Sequence, residues 1–399
     1  MDTVTHGIVG SLISKGYFSE RHGRVATFAA TLGAVFPDSD VVMEAFSHDP
    51  LALIKYHRGI THSWMGMPFF AVILAWLTRL IARRLGEDTP SWRVLVLIYI
   101  VAIASHIALD GMTSFGTRMW TPLAEDRVAW DLIFIIDFVF TAIVLVPQVA
   151  AWVHRSRERA RPRAASMTAL FTLATVLVWL LARQIGFPFH LWVVGFVSAL
   201  IAALFFLPGR HARFQRSDWC RAGVYAAVAY LLFCWAAHHV ALGRVSDFAA
   251  ANHIEADRLA ALPLPPSLLD WGGVIRAHNG VYATRFDLRD PAAPVFSFTA
   301  DSPPDIFSQR AMQLPEVKLY WGFARFPIIR SEAVGDRYVV DFFDQRFISR
   351  RRRAGEPQPF TYRVVFDSAG EVVEEGWQSN GLLLRRVMRK SPPRAGDPQ

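Results

Sequence analysis

Charge and cysteine are both scarce in this chain. Only 19% of its 399 residues are Asp, Glu, Lys or Arg, against about 25% in an average soluble domain. Hydrophobic residues reach 53%, an imbalance larger than a soluble core absorbs, and it points to the membrane. Cysteine occurs twice, at Cys220 and Cys234, within one apolar stretch. Fourteen residues of helix would set them about 21 Å apart, which excludes an intrahelical disulfide. Residues 1–16 hold Asp2 and His6 but no basic n-region, so no cleavable signal peptide is expected. Also missing are a GxSxG elbow, a P-loop and an HExxH helix, so serine-nucleophile, P-loop and zincin chemistries lack their signatures.

What is present is apolar sequence in long runs. Stretches 64–82, 92–109, 131–153, 167–186, 189–208 and 219–242 approach or exceed the ~20 residues that a membrane helix needs. Residues 4–14 and 25–36 are apolar but shorter. The formal net charge of +8 lies mostly in connecting loops. Residues 154–165 hold five Arg, the 209–221 loop holds Arg210, Arg213, Arg216 and Arg221, and the 83–93 loop holds Arg83, Arg84 and Arg93. Loops this basic belong on the cytoplasmic side. The excess therefore reads as topology, and no nucleic-acid partner is expected; Arg350–Arg353 reads as a solvated loop. The alternate loops, and both termini, then face outward.

Composition changes near residue 244, and Pro263, Pro265 and Pro266 mark a linker. Beyond it come strand-like runs at 273–286, 295–299, 317–323, 338–347, 360–366 and 372–376, with a turn at Ser368-Ala369-Gly370. The expected fold is a polytopic α-helical membrane protein of about six to eight helices with a C-terminal β-rich soluble domain. Its expected divisions are 1–153, which carries the chemistry, 154–243 with further membrane helices, 244–390 as the β-rich domain and 391–399 as a disordered tail.

Four clusters of His and Asp interrupt the apolar pattern. DTVTH gives Asp2 and His6 at i and i+4. FPDSD gives Asp38 and Asp40. YHRGITHSW gives His57, Arg58 and His62, and SHIALDG gives His106 and Asp110, again at i and i+4. The topology drawn from Lys and Arg alone brings all four to one leaflet. Imidazole and carboxylate bind zinc, manganese or iron, and ionisable groups at membrane depth mark function. Taken singly, each has a plainer explanation: Asp2 and one of Asp38 and Asp40 as helix caps, His57 and His62 as interfacial residues. Arg58 is the candidate for balancing a carboxylate or holding a substrate phosphate. Asp131 and Asp137 rank below the clusters, to complete the site or to orient a histidine. His190, His238 and His239 lack nearby carboxylates and read as interfacial.

The elements DTVTHG, FPDSD, HRGITHS and SHIALDGMTSFGT resemble the YdjM or DUF457 family of membrane-bound metal-dependent hydrolases, over about residues 1–140. Members are described as inner-membrane hydrolases, and one branch as LexA-binding. The order of ligand types is also similar to zinc-dependent phospholipase C, which implies His6, Asp38, His57 or His62, His106 and Asp110 as ligands. Further His and Glu ligands of those enzymes have no counterpart here beyond Asp131 and Asp137, so one or two metals are expected rather than three. The combined expectation is a divalent metal, zinc first, held among His6, Asp38, Asp40, His57, His62, His106 and Asp110. Arg58 and Asp131 would assist. The site and the β-rich domain would face the periplasm, and the substrate would be a phosphoester of a lipid or envelope component. A transporter, or an interaction protein with a structural metal, are the alternatives; helices 167–186 and 189–208 carry almost none of the polar residues an ion path needs.

Overall fold

A computed structural model describes residues 1–47, 49, 51–184, 190–206, 215–265, 268–347, 360–378 and 386–387. Its helices in chain order are α1 (Thr3–Tyr17), α2 (Ser19–Val35), α3 (Val41–Phe46), α4 (Ala52–Tyr56), α5 (Gly66–Arg84), α6 (Trp92–Gly111), α7 (Phe138–Val153), α8 (Arg157–Gln184), α9 (Leu191–Phe206), α10 (Arg216–Ala251), α11 (Ile306–Ala311) and α12 (Pro315–Phe323). The strands are β1 (Ala256–Pro263), β2 (Asp270–Ala277), β3 (Gly280–Asp287), β4 (Ser297–Ala300), β5 (Pro327–Val334), β6 (Arg337–Asp344), β7 (Thr361–Phe366), β8 (Val372–Gln378) and β9 (Arg386–Val387). Two compact units interleave along the sequence. One comprises Met1–Phe36, Gly66–His106 and Asp137–Leu232; the other comprises Pro37–Met65, Ile107–Ile136 and Phe233–Gln399.

The first unit is helical. Asp2 caps α1 by accepting the Thr5 N–H at 2.9 Å, and α1 lies directly against α2. Gly10 makes that approach close: a Cβ there would collide with the Ala30 carbonyl oxygen and the Ala34 side chain. Among the described residues, α5, α6, α8 and α10 are long and apolar enough to cross a membrane. The sequence predicts six to eight such helices. The others are real but short: α7 and α9 have 16 residues each, and α1 and α2 have 15 and 17, against the ~20 that span the hydrocarbon. The stretch expected as a helix over 131–153 begins only at Phe138, because Asp137 caps it by accepting the N–H groups of Val139 and Phe140, both at 2.9 Å. Asp131 therefore sits in a loop. Outward-facing Phe69, Trp76 and Ile81 on α5 and Leu170, Leu173 and Leu177 on α8 form apolar surface of the kind that lipid covers.

The second unit holds two antiparallel sheets, ordered β1-β2-β3-β4 and β5-β6-β7-β8-β9. The C-terminal part of α10 lays Ala237, Ala241, Val245 and Ala249, one every turn, onto Ala261, Trp271 and Ile275 of the first sheet. Val274 and Val281 meet Phe326, Ile328 and Phe343 in a core shared by the two sheets. The second sheet packs Val340, Phe342, Tyr362 and Val364 against Val317, Tyr320 and Phe323 of α12. The same core takes in Leu51 and Ile54 of the α4 region and Phe115. Segments that precede the β domain by well over a hundred residues are thus built into its core.

Strands β4, β6, β7 and β8 fall where the alternating pattern predicts them, and the Ser368-Ala369-Gly370 turn carries its positive φ at Gly370. The run 273–286 is two strands paired around a turn at His278 and Asn279. The run 317–323 is not a strand but helix α12. Pro315 starts it, and Val317, Tyr320 and Phe323 recur at helical spacing on its buried face. Strand β1 ends on Pro263, the first of the three prolines that mark the expected linker, while Pro266 lies outside the described residues; β5 has no counterpart among the expected runs. Arg350–Arg353 and the tail 391–399 lie outside the described residues.

Replacing Gly10 by Val should force α1 and α2 apart at a cost of about 1–3 kcal/mol. Thermal unfolding of the purified protein in detergent checks this, and an unchanged midpoint would contradict the close packing.

Candidate metal centre

Asp38, Asp40, His57, Arg58 and His62 sit on turns between helices, while His106 and Asp110 lie on α6 and His6 on α1. The 3-10 turn Phe36–Asp40 follows α2 and carries Asp38 and Asp40. After α4 the chain is extended at His57, then adopts a left-handed conformation at Arg58, with φ 61°. A second 3-10 turn, Ile60–His62, ends on His62. A non-glycine residue held in the left-handed region needs support from its surroundings. Arg58 has it: its backbone N–H donates to Asp40 Oδ2 at 3.0 Å.

Asp40 is the hub of this turn. Its Oδ1 accepts from His57 Nδ1 at 2.8 Å. Its Oδ2 accepts from Arg58 N, from the Thr61 hydroxyl at 2.9 Å and from His62 Nδ1 at 3.1 Å. Burial opposes ionisation of Asp40, but the two imidazoles outweigh it and hold the carboxyl well below its ordinary range. A carboxylate can only accept, so each of these ring nitrogens carries its proton on Nδ1, leaving Nε2 to face elsewhere. For His62, Nε2 faces Asp110 Oδ2 at 3.3 Å and Asp38 Oδ1 at 3.4 Å. Burial alone would lower the pKa of His62. Hydrogen bonds to Asp110, Asp38 and Asp40 reverse that and push it up to about 10.

Arg58 is buried with its guanidinium against Asp110. Nε lies 3.0 Å from Asp110 Oδ2. Nη1 lies 3.3 Å from the Asp110 carbonyl oxygen, 3.0 Å from Thr113 Oγ1 and 3.4 Å from Thr117 Oγ1. These contacts make it a clamp on the end of α6 that balances the Asp110 carboxylate, the first of the two roles the sequence offered for it.

Asp110 and His106 stand one turn apart on α6. The Ala34 carbonyl oxygen accepts from His106 Nδ1 at 2.6 Å, which fixes the tautomer and leaves Nε2 with its lone pair. His6 stacks on the His106 ring, with centroids 3.6 Å apart. Asp38, His62, His106 and Asp110 each offer one ligand atom, all within 4.8 Å of one another; Asp40, His57 and His62 form a second such group. His62, His106 and Asp110 are fully buried, and the Asp38 side chain is 7% exposed. Of the residues picked from the sequence, His6 touches the site through His106, and Asp131 and Asp137 act elsewhere. Asp137 caps α7 and accepts from the Tyr230 hydroxyl at 2.6 Å. His238 packs on Trp271 and His239 on Trp235, while His190 is exposed.

Sequence reasoning missed what the C-terminal sheets contribute. Asp131, held at φ 55°, receives both arms of Arg325 at 2.8 Å each. Arg127 donates to the carbonyl oxygens of Gly116 and Ile54, and Arg346 donates to that of Ser114. The guanidiniums alternate with rings. Arg58 lies 4.9 Å from the Phe115 centroid, Arg127 lies 5.6 Å from Phe115 and 5.4 Å from Phe323, and Arg346 lies 4.8 Å from Phe323 and 5.0 Å from Phe347. Such cation–π contacts contribute about 0.5–2 kcal/mol each. They tie the Arg58 loop to β-domain residues across more than two hundred positions of sequence. The only trace of this in the sequence is two arginines, in FARF and QRF, set among large apolar side chains.

Residues 1–186 match the family described as YdjM inner membrane protein. That span contains every site residue named from the sequence, and neither sheet. The uncharacterized protein YfhP of Bacillus subtilis (strain 168) is 28% identical over 160 residues, which cover 38% of this chain and 46% of YfhP. The matched region thus spans about half the length of that curated relative. No solved structure matches the chain.

Replacing Arg58 by Met leaves Asp110 buried without its guanidinium and should destabilise the protein by about 3–5 kcal/mol. Adding Asp110→Asn should restore part of the loss. Denaturation of the four proteins of this cycle measures the coupling, and additive effects would contradict the clamp.

Proposed function

We propose that this YdjM-type membrane protein holds a divalent metal among Asp38, His62, His106 and Asp110 and hydrolyses an ester at that site, a phosphoester of a lipid or envelope component being the substrate class. The observation that carries this is a gathering of carboxylates and imidazoles in a buried place. Asp38, Asp40 and Asp110 converge on His62, His106 stands beside them, and the Arg58 guanidinium contacts Asp110. Buried carboxylates at such density favour a cation among them. A proton on His62 offsets part of their charge; a divalent ion offsets more.

The donor set fits the metal. Two imidazole Nε2 atoms and two carboxylates suit zinc, and also manganese or iron. Asp40 orients His57 and His62 through their Nδ1 protons, the arrangement that fixes a ligating imidazole. Bound there, a divalent ion supplies a Lewis acid and lowers the pKa of water toward about 7. His57, 15% exposed and held through Nδ1 by Asp40, keeps Nε2 for proton transfer. Asp131, paired with Arg325, braces the loop. The distribution of Lys and Arg among the loops supports an outer, periplasmic position for the site. The match of residues 1–186 to the YdjM inner membrane protein family supports a membrane location and names no substrate.

One feature favours a second reading, a structural metal in an interaction protein: the four proposed ligands are almost completely buried. Activity separates the two. Asp110→Asn and His106→Ala should each lower metal content by tenfold or more and remove hydrolysis of a phosphoester panel, with membrane insertion intact. Full metal occupancy in these variants would overturn the ligand assignment. Loaded wild-type protein inactive on every ester would favour the structural role.

Proton linkage gives a separate check. The ordinary histidine value is near 6.5, and His62 is raised to about 10. Metal-free protein therefore gains stability from this proton below about pH 6.5 and loses it as pH rises through about 10. A metal must displace the proton, so affinity should rise by about tenfold per pH unit across that window. Calorimetry at pH 7.5 in two buffers of different ionisation heat should report about one proton released per metal; identical heats would contradict the displacement.

A further inference from the structure

The helical unit contains a cavity of about 670 Å³ away from the His–Asp cluster. Its volume lies within the range of small-molecule sites. Val4, Gly7, Ile8, Ser11 and Lys15 line it, positions that share one face of α1. From Val4 to Lys15 the helix rises about 16 Å, so the cavity follows α1 lengthwise. Its two ends differ. Along the shaft, Ile8, Leu145, Val149 and Met167 make apolar walls. Lys15, Arg155 and Arg216 stand at the other end, in the last turn of α1, just past α7 and at the start of α10. Among the described residues, no Asp or Glu lines the cavity.

The cationic end is built into the fold. Lys15 Nζ donates to Gln148 Oε1 at 2.8 Å, and the Ser11 hydroxyl donates to the same oxygen at 2.9 Å. Gln148 Nε2 donates to the carbonyl oxygens of Ile8 and Val144, which fixes the amide with its oxygen toward Lys15. A neutral amide thus positions the ammonium and leaves its charge uncompensated. Among the described residues, Lys15, Arg155 and Arg216 form no ion pair. The nearest acid on the first turn of α10, Asp218, is engaged with the Gln215 N–H and with Arg221. Trp152, which also lines the cavity, stacks with Arg163 at 4.6 Å. Trp beside Arg at a helix end marks the headgroup level of a bilayer.

We propose that this cavity is a binding site for one anionic phospholipid, its phosphate at Lys15, Arg155 and Arg216 and an acyl chain along α1. The apolar shaft selects a chain, and three cations without a carboxylate select a net negative headgroup. Each Lys or Arg contributes roughly 1 kcal/mol toward anionic lipid. The site is independent of the metal reading, since none of its lining residues belongs to the His–Asp cluster.

The test is lipid retention. Full-length protein is exchanged against vesicles of phosphatidylglycerol or phosphatidylcholine, and native mass spectrometry counts the lipid kept through detergent washing. Wild type should keep one phosphatidylglycerol and release phosphatidylcholine. Lys15→Gln with Arg216→Gln should lower retention by about tenfold or more, and Lys15→Arg should keep it. Val149→Trp, which fills the shaft and leaves the cations in place, should also release the lipid; an unchanged melting midpoint shows that it folds. Equal retention of both lipids would overturn the proposal. So would displacement of phosphatidylglycerol by millimolar inorganic phosphate, which would mark a free-anion site.

Discussion

Three carboxylates closing on one buried imidazole set the constraint that the surrounding structure answers. Asp38, Asp40 and Asp110 cannot share the interior without positive charge. The left-handed backbone at Arg58 makes sense in this light. It brings an N–H to Asp40 and a guanidinium to Asp110 from a single residue. His62 answers the same demand by holding a proton far above the usual histidine range. A divalent ion among these groups meets the demand more fully, and this is the physical basis of the hydrolase reading.

The β domain belongs to this account, although the family match ends at residue 186. Arg325 grips Asp131, Arg346 grips the carbonyl oxygen of Ser114, and Phe323 sits between Arg127 and Arg346. Leu51, Ile54 and Phe115 join the core of the second sheet. The loops that carry the clamp are thus walled by residues from the far end of the chain. A region with the family's motifs alone would lack those walls. Burial makes the alternating arginines and rings effective, because a cation over a ring gains more once water is removed.

The candidate site was legible in the sequence because its signals are local. HxxxD at the end of an apolar helix places two donors on one face whatever follows, and polar residues in apolar surroundings are conspicuous. The roles were less legible. Nothing in YHRGITHSW says that Arg58 turns inward, or that Asp40 gathers four donors while Asp38 faces His62 Nε2. Those facts depend on backbone dihedrals and on partners remote in sequence. The membrane helices followed from composition, but their lengths did not: Asp137 reads as part of a continuous apolar run and acts as its cap. In the β domain, alternation found β6, β7 and β8. It failed at α12, where seven residues rich in large apolar side chains fit either period until Pro315 and the buried face decide.

The central claim is that the carboxylates and imidazoles gathered around His62 hold a metal. Diffraction from crystals of the full-length protein, with anomalous data collected across the zinc, iron and manganese edges, tests it most directly. The account predicts an anomalous peak bonded to Asp38, His62 Nε2, His106 Nε2 and Asp110. Metal-replete crystals with no peak there, or with the only peak between Asp40 and His57, would contradict it.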